Sequence, residues 1–164
     1  MLRYKYEIVD VINMKIFGKY LLRVDWVAGL LFLVLMVPNV LWGLVPLADD
    51  PLRVVSRTQV VDGIASVAQV IMIAVLFLLR RTDAPVPMAR KWIVATIGCM
   101  ALYLLLWVMY YCGIGSAILV VAMAVVPCLS FMAFAIGRNN WLGLIFCGIF
   151  LVCHTVFAIA NYCI

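Results

Sequence analysis

The residues of this sequence that could do chemistry are isolated polar side chains inside long apolar segments. The single histidine, His154, lies within FLVCHTVFAIANYC, and Asn39 directly follows Pro38 in LVLMVPNVLWG. An imidazole can donate or accept a hydrogen bond, carry a proton or bind a metal, and an amide can bridge two partners. Without a partner, such a group costs free energy in apolar surroundings. These residues therefore predict either hydrogen bonds between helices or a binding site for a ligand.

Four polar side chains share a similar expected depth in the membrane. An α-helix rises ~1.5 Å per residue, and tryptophan and arginine side chains mark the membrane surface. Counting from such markers places Asn39 and His154 about 20 Å deep, and Gln69 and Tyr103 about 16 Å deep. Asn161 lies one heptad after His154 on the same helix face. We therefore predict that these five residues line a mid-membrane polar pocket, with Asn39 and His154 hydrogen-bonded to each other.

A polar stripe is predicted on the second apolar segment. Asp62, Ser66 and Gln69 follow an i, i+4, i+7 pattern, which places them on one helix face. Asp62 falls near the outer end of that helix. It could either form an ion pair with Arg57 or line a vestibule of the pocket.

Two prolines interrupt apolar segments near mid-depth. A proline inside a helix removes one backbone hydrogen bond, and Pro38 and Pro127 would free the carbonyl groups of Val34 and Met123. The freed carbonyls could accept from side chains, water or a ligand, or the prolines could simply kink their helices. Pro38 and Pro127 are therefore predicted helix breaks.

The cysteines and the histidine favour no common catalytic or metal site. The six cysteines form no CxxC pair, which weighs against a thiol oxidoreductase or a tetrathiolate metal site. Cys112 and Cys163 fall at the outer ends of two segments, where a disulfide could form in an oxidising compartment. The chain has no second histidine and no DxxD, Walker or GxSxG motif. We therefore predict no catalytic residues, no metal and no cofactor.

The composition indicates that helices in a membrane position these side chains. Hydrophobic residues make up 69% of the 164 residues and charged residues 12%, and the mean hydropathy is +1.23. A helix needs ~20 apolar residues to cross a bilayer. Five segments meet that length: 25–46, 59–80, 92–112, 115–137 and 141–163. We predict an all-α membrane protein, a five-transmembrane-helix bundle formed by a single domain, 25–164.

The first 24 residues are predicted to form a separate amphipathic helix at the inner membrane surface. Apolar residues recur at helical spacing from Ile8 to Tyr20, and Lys15, Lys19 and Arg23 lie on another face. The alternative is a partly ordered tail.

The basic residues predict the orientation of the bundle. Ten of the 12 lysines and arginines precede the first span or lie in the segments that join spans two to three and four to five. Cytoplasmic loops retain positive charge, so the N-terminus is predicted inside and the C-terminus outside. The net charge of +5 then meets membrane lipids with anionic headgroups, and we predict no nucleic-acid partner.

Two segments carry a resemblance. PNVLWGL in the first span and VVPCLSFMAFAIGRNNWLGLIFCGIFLVCHTVFAIAN at the C-terminus resemble a family of small five-span bacterial membrane proteins of the Firmicutes type. That family has a Pro-Asn pair in its first span, a proline in its fourth, and a late histidine and asparagine in its last. The matching residues here are Pro38, Asn39, Pro127, His154 and Asn161. The resemblance implies a bacterial cytoplasmic (inner) membrane and no particular activity.

Three classes of function remain open. The favoured class is a protein that binds or transports a small molecule or lipid through the pocket; transport would need a homo-oligomer, because five spans do not divide into two equal repeats. The second class is an accessory subunit of a larger membrane complex. The third is a membrane enzyme or redox protein that uses His154 as a general base or axial ligand.

Overall fold

Five long helices form the framework of the protein, and each is long and apolar enough to cross a membrane. The computed structural model describes residues 15–163 except 17, 46, 48, 49, 51 and 54. The helices are α1 (Trp26–Leu44), α2 (Gln59–Leu78), α3 (Arg90–Tyr111), α4 (Ala117–Gly137) and α5 (Trp141–Tyr162). The prediction of five helices that could span a membrane is confirmed, and each helix end lies within two residues of the predicted end.

The fourth helix is the centre of the bundle. It packs between α3 and α5, α5 also packs against α2, and α1 contacts α2 and α3. In α4, 56% of the most apolar stretch is buried inside the protein, against 17–28% in the other helices. The outer helices therefore keep broad apolar faces on the outside, where lipid tails are as apolar as leucine side chains.

A small antiparallel sheet lies at one end of the bundle. Its strands, in spatial order, are β1 (Lys15–Ile16), β2 (Tyr20–Leu22) and β3 (Leu79–Arg81). Gly18, with a φ of 69°, lies in the turn between β1 and β2, a left-handed conformation that glycine adopts at little cost. We call this end of the bundle the sheet end.

The sheet replaces part of the amphipathic helix predicted for residues 1–24. Residues 15–16 and 20–22 form strands, and residues 1–14 lie outside the described residues. The physical reason is the backbone that follows α2. The chain leaves α2 in an extended conformation at Leu79, and its N–H and C=O groups are satisfied when β2 pairs with it.

Buried polar contacts hold the helix ends together at the sheet end. Asp25 accepts from the N–H of Val27 (3.1 Å) at the start of α1, and its second oxygen pairs with Arg138 Nε (3.1 Å) at the end of α4. The side chain of Asp25 is 8% exposed and that of Arg138 is 14% exposed, so this ion pair is largely buried. Asn140 donates from its amide to the carbonyl of Leu79 (2.9 Å), which ties the start of α5 to the end of α2.

Gly143 allows α5 to lie close against α2. A Cβ atom at this position would come within 2.5 Å of Leu76 Cδ2, closer than real Cβ atoms approach a neighbour. At Gly148, further along α5, a Cβ atom would meet no heavy atom within 4 Å. The close packing of these two helices therefore depends on the first glycine and not on the second.

Candidate functional site

A cavity of about 520 Å³ lies between the helices, toward the end where residues 45–58 join α1 to α2, which we call the loop end. All five helices contribute to its wall. The polar members of the wall are Asn39, Asp62, Ser66, Gln69, Tyr103 and His154. The further aromatic members are Trp42, Trp107, Phe131, Phe150, Phe157 and Tyr162. The volume falls within the range of pockets that hold drug-sized molecules.

The structure brings four of the five predicted pocket residues to this cavity. Asn39, Gln69, Tyr103 and His154 reach it from four different helices. Each helix rises by the same distance per residue, so residues counted to similar depths lie at similar heights in the bundle. Asp62, proposed for a vestibule, also lines the wall.

The two prolines lie in continuous helices. Pro38 is inside α1 and Pro127 inside α4, and neither helix ends at its proline. Pro127 lines the cavity, whereas Pro38 is buried and does not. The predicted helix breaks are therefore local losses of one backbone hydrogen bond.

Asn39 is hydrogen-bonded to Tyr103 and not to His154. Its amide nitrogen donates to the Tyr103 hydroxyl (2.9 Å) and to the carbonyl of Leu35 (3.2 Å). The predicted Asn39–His154 pair is wrong because α1 packs on α3, which carries Tyr103. Depth along the membrane is predictable from counting, but the direction in which a side chain points around the helix axis is not.

His154 lies between two phenylalanine rings of its own helix. The imidazole stacks on Phe150 (ring centroids 4.9 Å apart, planes 19° apart) and is nearly parallel to Phe157 (6.1 Å, 8°). Among the described residues, no side chain or backbone group is hydrogen-bonded to the imidazole. The ring is therefore positioned by stacking, and its nitrogens stay available to the cavity that it lines.

Asn161 does not line the cavity, contrary to the prediction. Its side-chain oxygen accepts from the backbone N–H of Arg57 (2.7 Å), and its amide donates to Thr58 Oγ1 (3.0 Å) and to the carbonyl of Phe157 (2.8 Å). One heptad adds ~10 Å of rise, which carries this residue past the cavity to the end of α5. Asn161 therefore joins α5 to the chain that enters α2.

Trp107 is a member of the wall that the sequence analysis missed. It is 6% exposed, and its ring makes edge contacts with Tyr103 (centroids 6.4 Å apart) and Tyr110 (5.4 Å). Its indole Nε1 is buried without a hydrogen-bond partner among the described residues. The i+4 spacing from Tyr103 was the signal in the sequence that could have placed both residues on one face.

Asp62 is the one formally charged residue among the described residues that line the cavity. The predicted alternative, an ion pair with Arg57, is not formed; the carboxylate accepts from Thr58 Oγ1 (3.2 Å) instead. Asp62 belongs to the first turn of α2, where the helix dipole favours negative charge.

Asp50 organises the segment that covers the loop end of the cavity. The Nε1 atom of Trp42 (2.7 Å), the N–H of Leu52 (2.9 Å), Nε of Arg53 (3.1 Å) and the hydroxyl of Tyr110 all donate to its carboxylate. The carboxylate side chain is only 2% exposed. We call these five residues the Asp50 cluster. Since Leu52 and Trp42 also line the cavity, the cluster forms part of the cavity wall at this end.

The charge of Asp50 is stabilised by these contacts. Burial raises the pKa of Asp50, but the hydrogen bonds from Tyr110, Leu52, Trp42 and Arg53 outweigh that effect, so its pKa lies below the ordinary aspartate value. The cluster is therefore held by an ionised carboxylate at neutral pH. The partners lie up to 60 residues away, which explains why no local pattern revealed them.

All six cysteines are free thiols. Cys112 and Cys163, for which a disulfide was an open alternative, are both exposed and unlinked. Cys128 and Cys147 are fully buried.

No protein-family model, curated protein or solved structure gives a significant match to this chain. The resemblance to five-span bacterial membrane proteins stays a prediction from the sequence.

Proposed function

We propose that this protein binds a small molecule or lipid in the cavity between its five helices. The observation that carries the proposal is the hydrogen-bonding state of the wall. Polar side chains that only join helices should be paired with one another, as Asn39 is with Tyr103. Within the described residues, Ser66, Gln69 and His154 have no such partner, although all three line the cavity. A bound molecule with polar groups would supply the missing partners.

The charges at the two ends support an orientation with the sheet end in the cytoplasm. Of the described arginines outside the helices, four lie at the sheet end: Arg23, Arg80, Arg81 and Arg138. Two lie in the segment at the loop end: Arg53 and Arg57. By the positive-inside rule, the loop end and the cavity then face the outer side of the membrane. The family resemblance implies that this membrane is the bacterial inner membrane. Transport of the bound molecule, which would need a second copy of the chain, is an extension of the proposal.

Native mass spectrometry of the full chain released from mild detergent tests the proposal. The wild type is expected to retain a small molecule, and His154→Ala is expected to lose it because the stacked imidazole forms part of the wall. Val152→Ala is the matched control on the same helix, since Val152 is 62% exposed on the outer face. The control should retain the molecule.

Two results would contradict the proposal. One is an empty chain that carries a second polypeptide in fixed stoichiometry, which would favour the accessory-subunit class instead. The other is a retained molecule that His154→Ala does not affect and that detergent exchange removes equally from wild type and variant. Such a molecule would be a lipid bound at the surface.

A further inference from the structure

We propose that the ligand of the cavity is a lipophilic organic cation, an inference that rests on the proposed function of the cavity as a binding site. The chemical class is a monovalent ammonium or phosphonium ion that carries apolar or aromatic groups. Three features of the wall carry this inference: an acidic side chain without a basic partner, an aromatic lining, and a volume suited to a drug-sized molecule.

The first feature is the carboxylate of Asp62. Four acidic residues are described by the structure, and three of them pair with arginine: Asp25 with Arg138, Asp50 with Arg53, and Asp83 with Arg81. Asp62 is the fourth, and no described lysine, arginine or histidine nitrogen lies within 4.0 Å of its carboxylate.

A carboxylate in that position needs a positive partner. Asp62 receives one hydrogen bond, from the hydroxyl of Thr58, and otherwise borders the cavity. A charge taken partly out of water costs free energy unless an opposite charge compensates it. No described lysine or arginine lines the cavity, and a cationic ligand would bring an opposite charge to the carboxylate. An anion, in contrast, would meet a like charge and, among the described residues, neither a lysine nor an arginine.

The second feature is the aromatic lining. Tyr103, Trp107, Phe131, Phe150 and Phe157 present aromatic rings to the same cavity. The face of an aromatic ring attracts a cation, and the attraction is stronger when the pair is removed from water. The attraction is strongest for large, weakly hydrated organic cations, which lose little hydration on leaving water. The described residues contain no group of three histidine, cysteine, aspartate or glutamate side chains that could hold a metal ion.

The same chain already uses this contact next to the cavity. The guanidinium carbon of Arg53 lies 5.0 Å from the centre of the Trp42 ring, a ring that also lines the cavity. Thus one aromatic ring of the cavity wall already binds a delocalised cation.

Two probes of nearly identical size and shape but opposite charge test the inference. Saturable binding of tetraphenylphosphonium and of tetraphenylborate is measured on the purified full chain, with empty micelles subtracted. The phosphonium ion should bind, and the borate should show no saturable component. The variants are Asp62→Asn, which keeps an oxygen for Thr58, Asp62→Glu, which keeps the charge, and Asp83→Asn, a control at the exposed sheet end.

Asp62→Asn is expected to weaken phosphonium binding about tenfold or more, because it removes the charge partner inside a partly desolvated site. Asp62→Glu should restore most of the affinity that Asp62→Asn loses, and Asp83→Asn should bind within about twofold of the wild type. If Asp62→Glu keeps its affinity while Asp62→Asn loses it, the loss is due to the missing charge and not to a loss of fold.

Equal or tighter binding of the borate, or phosphonium binding that Asp62→Asn leaves unchanged, would overturn the inference. If neither probe binds while native mass spectrometry still shows a retained molecule that depends on His154, the cation class is wrong and the binding site stands. If neither probe binds and the chain is empty, both proposals fail.

Discussion

Asp50→Ala should open the segment that covers the loop end of the cavity. The alanine removes the acceptor for three partly buried donors, Trp42, Tyr110 and the N–H of Leu52. Hydrogen bonds to a charged group contribute about 1.5–3 kcal/mol each. Arg53 is 48% exposed and adds little, because solvent screens its charge.

The expected magnitude is smaller than the sum of three such bonds. The substitution removes one shared acceptor, and water reaches the released donors once the segment has opened, so the losses are not additive. A loss of about 3 kcal/mol in the free energy of local opening is a reasonable value. Each 1.4 kcal/mol is a factor of ten, so the closed state should be populated about a hundredfold less relative to the open state.

Hydrogen–deuterium exchange read by mass spectrometry measures this change. Exchange in residues 50–58 should accelerate about a hundredfold in Asp50→Ala. If the wild-type segment is protected by less than about a hundredfold, exchange in the variant should instead reach the rate of an unprotected peptide. Asp83→Ala, the same substitution in the exposed pair at the sheet end, should leave this segment unchanged. Exchange in Asp50→Ala within about threefold of the wild type would show that the Asp50 cluster does not hold the segment.

Three further predictions concern packing, pairing and pH. Gly143→Ala should lower the stability of the bundle by about 1–3 kcal/mol, because the new methyl group overlaps a leucine side chain of α2. Gly148→Ala should be neutral or slightly stabilising. Unfolding in detergent compares the two variants, and equal effects would contradict the close approach of α5 to α2. Asn39→Leu and Tyr103→Phe should each destabilise the protein by about 1 kcal/mol. The double variant should be destabilised by less than the sum of the two single effects, and strict additivity would show that the amide and the hydroxyl do not interact. The pKa of Asp50 is lowered in the folded protein, so its contribution to the stability of the closed segment is present above the unfolded aspartate value of about 3.9 and is lost as the pH falls through the folded value. The exchange rate of residues 50–58, corrected for the intrinsic pH dependence of exchange, should therefore be constant from about pH 5 to 8 and rise only in stronger acid.

The five long, apolar helices were predictable because a single physical requirement determines their length. A helix must bury its backbone polar groups across the whole hydrocarbon layer, so the length of each apolar run fixes the bounds of the helix. The end of α2 has a cause outside the helix, because it stops at Leu78 where the next residues pair with β2. That partner lies near residue 20, and no pattern within the helix itself could reveal it.

The N-terminal segment shows the same limit more clearly. The spacing of apolar residues up to Tyr20 fits a helix, but Tyr20–Leu22 forms a strand because β3 offers a free edge beside it. For a short segment, the hydrogen bonds of a distant partner outweigh a weak local preference. Such a pairing is a property of the folded chain and not of the segment.

For four residues of the candidate site, the position along the helix axis was predictable from the sequence. The direction in which a side chain points around that axis was not. Counting residues located Asn39, Gln69, Tyr103 and His154 because helical rise is constant. It failed for the partner of Asn39, because neighbouring helices determine which way a side chain points. It failed for Asn161 because one further heptad of rise carries that residue past the cavity.

The ion pair between Asp25 and Arg138 has a consequence for how the chain is made. The two residues are 113 positions apart, and the chain is synthesised from its N-terminus. Asp25 is therefore made long before its counter-charge exists, and its carboxylate cannot pair with Arg138 until the end of α4 has been made. Formation of α1 and its final docking in the bundle are thus separate events in time. α1 can complete its contacts only after α4 has been synthesised.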